Sequence, residues 1–128
     1  MPRDLLFLDT AYIFGLINTR DQWHQRAVAW SQKVISEKYL LLTTEFVLIE
    51  IANGLSSIKF RREAADIIQV LQDDEYVEII PSTSDLFQNG LELFRSRDDK
   101  TWGLTDCISF VAMKENGITD VLTTDKHF

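Results

Sequence analysis

The stretch Leu5-Leu6-Phe7-Leu8-Asp9-Thr10 decides the fold. Four apolar residues follow one another without polar alternation and end on an acid, the pattern of a strand buried on both faces of a parallel sheet. Thr10 then stands as a possible N-cap, and residues 11–16 read as a short helix. Outward from this start the same alternation repeats. Asp21 is placed to cap a second helix, in which Trp23, Ala27, Trp30 and Val34 share one face. Residues 39–43 form a second apolar strand. A third helix follows from about Thr44, with Val47, Ile51 and Leu55 on one stripe and Gly54 near its end. Residues 61–72 read as a fourth helix with Ala64, Ile67, Ile68 and Leu71 inward, and residues 77–80 as a third strand closed by Pro81. Ser82, with Asp85 three residues later, resembles a capping box for a fifth helix running to about Phe94. After a charged stretch at 95–103, Thr105 is placed to cap a sixth helix that stops at Asn116-Gly117, and residues 121–123 form a fourth strand.

Strands alternating with helices predict an α/β fold, a three-layer α/β/α sandwich around a mainly parallel sheet. At 128 residues the chain holds one domain, against a prior of roughly 150 residues per domain. Its 45% hydrophobic and 26% charged composition, with 5 Gly and 2 Pro, is globular and excludes disordered and collagenous classes. No apolar run is long enough for a membrane span, and Met1-Pro2-Arg3-Asp4 opens without a signal peptide's apolar segment. A single cysteine, Cys107, cannot form an internal disulfide, so a cytoplasmic protein is expected. The net charge of −7 argues against sequence-independent coating of duplex nucleic acid. Setting four carboxylates aside for a metal site turns −7 into an ordinary −3.

Four acids stand out. Asp9 and Asp125 each follow a strand, at the carboxyl edge where open parallel sheets bind ligands. Singly, each reads equally well as a cap; together they point to a site. Glu50 lies between Ile49 and Ile51 in an apolar helix, and a buried carboxylate needs a partner or a metal. Asp106 opens the sixth helix, where an acid also suits the helix dipole. Carboxylates brought together repel and require a cation, and an all-oxygen donor set suits Mg²⁺ or Mn²⁺ rather than zinc. His24 and His127 read as surface or packing residues and Cys107 as packing. Nucleotide-binding glycine motifs, HExxH and CxxC pairs are absent from the sequence.

The segments Leu6-Phe7-Leu8-Asp9-Thr10, Thr44 to Glu50, Trp102-Gly103-Leu104-Thr105-Asp106-Cys107-Ile108-Ser109-Phe110 and Val121-Leu122-Thr123-Thr124-Asp125-Lys126-His127-Phe128 now carry a pattern. In this order the sequence resembles the PIN-domain nucleases, and within them the VapC-type toxins of toxin–antitoxin modules. The resemblance implies a PIN-domain fold and a metal-dependent endoribonuclease that hydrolyses an RNA phosphodiester in line, with one or two Mg²⁺ or Mn²⁺ ions. It implies that Asp9, Glu50, Asp106 and Asp125 are the metal-ligating and catalytic acids, and that Glu45 is not one of them. Thr10 and Thr123 or Thr124 look like hydroxyl supports for the carboxylates, and Asp99 like a supporting or loop residue. A homodimer and a cognate antitoxin are implied as partners, together with an RNA substrate. Arg61, Arg62, Arg95, Arg97 and Lys100 are candidates for guiding phosphates. Similar proteins continue past the His-Phe pair with a segment that returns to the sheet edge, so a final edge element is expected to be missing here.

Three rivals differ in kind. A PIN fold kept only for RNA binding or assembly would have no use for four acids. A phospho-accepting receiver domain needs an Asp after its third strand, where this chain reads Ile79-Ile80-Pro81-Ser82. A dehalogenase-type phosphotransferase needs a second Asp at position 11, which is Ala.

Overall fold

The computed structural model describes residues 5–123. The elements run β1 (Leu5–Leu8), α1 (Thr10–Ile17), α2 (His24–Ser36), β2 (Leu40–Thr44), α3 (Glu45–Gly54), α4 (Arg61–Asp73), β3 (Val77–Ile80), α5 (Ser84–Ser96), α6 (Leu104–Glu115) and β4 (Val121–Leu122). All strand pairings are parallel, in the order β3-β2-β1-β4. The register sets Leu6 beside Leu41, Phe7 beside Leu42 and Val121, and Thr44 beside Ile80.

The helices cover both faces of this sheet, because consecutive strand residues point to opposite faces and are nonetheless buried. Phe7 is 0% and Leu8 1% exposed, and Leu42, Thr43 and Thr44 are equally enclosed. The core continues into the helices through Ile13, Ala27, Val47, Ile51, Ala64, Ile108 and Ala112. Within it α3 packs against α1, α4 and α6, and α5 against α6. The last contact is close: a Cβ on Gly90 of α5 would lie 2.3 Å from Ile108 Cγ1 and 3.0 Å from its Cα.

Strand order positions the site. The chain steps outward from β1 to β2 to β3, then returns past both to place β4 on the other side of β1. Between β1 and β4 the direction of winding reverses, and the crevice beyond their carboxyl ends is where such sheets bind ligands. Asp9 follows β1 there, and Thr123 follows β4.

Helix starts differ from the sequence expectation. Asp9, not Thr10, caps α1: its carboxylate accepts from Ala11 N–H, and Thr10 is the first helical residue. Asp21 does not cap α2, which begins at His24 without a side-chain cap; its carboxylate instead accepts from Trp23 N–H at 2.8 Å, a turn closed upon itself. Thr83 rather than Ser82 caps α5, because Ser82 is held by Glu45, whose carboxylate accepts from its N–H and hydroxyl. α5 runs on to Ser96, so the charged loop is residues 97–103. Gly103 rather than Thr105 opens α6. The α6 stop is as expected, with Asn116 as C-cap and Gly117 at φ +66°, a conformation glycine adopts freely. On α2, Ala27 and Val34 are buried, but Trp23 and Trp30 remain over a third exposed, under Arg26 and Lys33. His24 is structural, its Nδ1–H donating to Gly15 O at 2.7 Å.

Candidate active site

Asp9 is the centre of the site. The buried run of β1 delivers it to the sheet edge at 4% exposure. Thr123 Oγ1 donates to its Oδ2 at 2.6 Å, and Ala11 N–H to the same oxygen at 3.3 Å. These bonds do not offset the loss of water. Burial pushes the carboxyl up to about 6, the charge of Asp106 adds to the rise, and the Thr123 and Ala11 bonds oppose it. Every described group acting on Asp9 is therefore a neutral donor or another acid.

Asp106 arrives from a different element. It sits in the first turn of α6, where its Oδ2 accepts from Gly103 N–H at 3.0 Å. That bond satisfies one of the amides exposed at the helix start and fixes the carboxylate towards the sheet edge. The same charge raises Cys107, chiefly pushed up by burial, so this thiol is an inert packing group.

The charge of Asp106 thus reaches Asp9 from another element. Glu50 is half-buried on α3 and makes no hydrogen bond or ion pair with another described residue. Its apolar neighbourhood is one-sided, since Ile51 is buried but Ile49 is 54% exposed. Asp125, Thr124 and His127 lie outside the described residues. Among the described residues no three His, Cys, Asp or Glu side chains gather closely enough to share an ion. Of the hydroxyl supports, Thr123 is in place, whereas the Thr10 hydroxyl is buried with no hydrogen-bond partner among the described residues. Asp99 belongs to loop structure: Arg97 binds it through two hydrogen bonds of 3.0 and 3.1 Å and holds its carboxyl below the usual range. Glu45 points away, to Ser82.

Two polar features escape the sequence reading. Thr43 Oγ1 donates to Leu8 O at 3.0 Å in the core, tying the end of β2 to the residue before Asp9. Ser109, one α6 turn beyond Asp106, is 1% exposed with no hydrogen-bond partner among the described residues. A hydroxyl three residues after an acid on an apolar helix is the signal that would have found it. No helix among the described residues is long and apolar enough to cross a membrane.

An acid pair from β1 and α6, beside a hydroxyl from β4, is a hard-oxygen donor set for a divalent cation. Asp9 fits such a group: it is a buried carboxylate whose charge nothing in its described surroundings balances.

The chain is 26% identical over 128 residues to Ribonuclease VapC1 of Aquifex aeolicus, covering all of this chain and 86% of that protein. Its structure is similar to Mycobacterium tuberculosis VapC20, described as a sarcin–ricin loop cleaving toxin, with a TM-score of 0.80, 23% identity and coverage of 94% of this chain and 89% of that one. It also resembles VapBC2 of Rickettsia felis, solved with a promoter DNA fragment (TM-score 0.65, 16% identity, coverage 97% and 90%). FitAcB of Neisseria gonorrhoeae is similar as well (TM-score 0.61, 17% identity, coverage 94% and 87%). The sequence profile of the PIN domain matches residues 6–128, from the second residue of β1 onward, and the chain belongs to the PIN domain family.

Proposed function

We propose that this protein is a divalent-metal-dependent endoribonuclease of the VapC toxin kind. In this reading a cognate antitoxin restrains it, as the paired names of the Rickettsia relative suggest, and the active form is a homodimer. The observation that carries the reading is Asp9, a buried acid at the winding switch of the sheet, with a second acid acting on it and no balancing cation among the described residues. Asp9, Glu50, Asp106 and Asp125 are the residues assigned to hold Mg²⁺ or Mn²⁺. Such an ion would neutralise the clustered carboxylates and the charge that builds on a phosphodiester under attack by water. The chain's own groups do the positioning. Thr123 and Ala11 fix one oxygen of Asp9, and Gly103 fixes one oxygen of Asp106.

The test is cleavage of single-stranded RNA in Mn²⁺ by wild type and by Asp9→Asn. Cleavage by the wild type alone supports the reading. Equal cleavage by both, or none by the wild type, overturns it, and the latter result favours a PIN fold retained for RNA binding or assembly.

A further inference from the structure

Arg95, Arg97 and Lys100 converge on one cleft of about 470 Å³, where the end of α5, the 97–103 loop and the start of α6 meet. Its wall also carries Phe94 and Trp102. Phe94 is an aromatic left 45% exposed. Trp102 is braced edge-on by Phe110, ring centroids 4.8 Å apart, with Arg97 5.1 Å and Lys100 5.6 Å from its ring centroid. Arg61, by contrast, lies on a separate groove along α4.

The cations of this cleft differ in availability. Asp99 grips Arg97 through both oxygens, which matches its charge and fixes its guanidinium plane near Trp102. Arg95 meets Glu92 only at 3.4 Å, with both side chains largely exposed, a contact of little strength. Arg95 and Lys100 therefore remain to meet an anion, with Asp98 the acid among the described lining residues. The cleft also neighbours Asp106 along the chain: Cys107, which lines it, follows Asp106, and Trp102 precedes the Gly103 amide that holds Asp106.

We propose that this cleft receives one unpaired nucleotide of the RNA next to the cut, its base against Phe94 and Trp102 and its phosphate on Arg95 and Lys100. The inference rests on the ribonuclease reading and names its substrate class. A cleft of this volume suits a small ligand such as a single nucleotide. A base inside a duplex is stacked on both faces and cannot enter, whereas a loop or single strand can splay one out onto aromatic rings or a guanidinium plane. In a chain of net charge −7, a phosphate needs local cations of this sort to approach the acids at all.

The experiment is fluorescence anisotropy with a fluorescein-labelled eight-nucleotide single-stranded RNA in EDTA, so that binding is read without cleavage. A blunt-ended duplex of the same sequence serves as competitor, and Kd is measured across a salt series. The wild type is expected to bind the single strand about tenfold more tightly than the duplex. Arg95→Ala/Lys100→Ala should weaken binding about tenfold and flatten the salt dependence by about 0.7, for the one single-strand phosphate the pair neutralises. Phe94→Ala should weaken binding at least ~5-fold with the salt slope unchanged, because stacking releases no counterions. The control Lys38→Asn/Lys114→Gln, which removes two charges beside the start of β2 and the end of α6, should alter neither. Equal affinity and slope in the two double variants overturns the proposal, as does a blunt-ended duplex that binds as well as the single strand. The latter pattern fits a charged surface that an acidic protein segment would use equally. Because no cleavage is read, this failure is separable from that of the active-site reading: an Asp9→Asn protein that still cuts RNA sinks the acids and leaves the cleft standing.

Discussion

Replacing Asp9 by Asn should stabilise the ion-free protein while abolishing its activity. In the folded chain the Asp9 carboxyl is raised from 3.8 to about 6. A proton is therefore held to higher pH in the folded than in the unfolded state, so stability falls as pH rises from about 4 to about 6 and stays low above that. Two units at ~1.4 kcal/mol each give a penalty of about 3 kcal/mol at pH 7–8. Asn carries no charge to desolvate. Its amide oxygen can replace Oδ2, the atom that accepts from both Thr123 and Ala11, so both bonds survive. Urea unfolding in EDTA, followed by tryptophan fluorescence, should find the two proteins similar near pH 4. At pH 8 Asp9→Asn should be more stable by up to about 3 kcal/mol, on the order of 10 °C in Tm for a chain of this size. Parallel pH profiles for the two proteins, or an Asp9→Asn protein weaker at pH 8, would refute the claim that burial and Asp106 strain this carboxylate.

The remaining expectations concern its surroundings. Mg²⁺ or Mn²⁺ at a hundredfold excess over Kd should stabilise the wild type by about 2.7 kcal/mol, and differential scanning fluorimetry should show the Tm response vanish in Asp106→Asn, whose ion-free form is itself more stable than wild type. Thr43→Val should cost about 1–3 kcal/mol in chemical denaturation, because it leaves the enclosed Leu8 carbonyl without the Thr43 hydroxyl. Gly90→Ala should cost about 1–3 kcal/mol or more, since its methyl would meet Ile108 at 2.3 Å, side chain and helix backbone together, and a Tm equal to wild type would show that α5 and α6 part freely.

Strands were easier to read from sequence than helix starts, and the reason is physical. Val77-Glu78-Ile79-Ile80 is a short, mostly β-branched run with a proline behind it, and the strand falls on those residues. Helix starts are crowded with interchangeable caps. Asp9 and Thr10 both qualify, as do Ser82 and Thr83, and the choice is made by neighbours distant in sequence, Thr123 for the first pair and Glu45 for the second. The same division holds at the site. The place of Asp9 at the sheet edge was legible because it ends a buried run, and that of Asp106 because it accompanies a helix start. The argument for Glu50 leaned on Ile49 and Ile51 as signs of burial, and Ile49 faces outward. The convergence of Arg95, Lys100, Phe94 and Trp102 was hidden because it arises from the close approach of α5 and α6, which the spacing of charges along residues 95–103 does not encode.

One hydrogen bond has an implication for when such a protein becomes dangerous to its maker. The hydroxyl that steadies Asp9 comes from a residue 114 positions later in the chain. While the polypeptide is still threading through the ribosomal exit tunnel, its first acid is already synthesised but its brace is not. In the proposed reading the site is therefore complete only after β4 has emerged and docked beside β1.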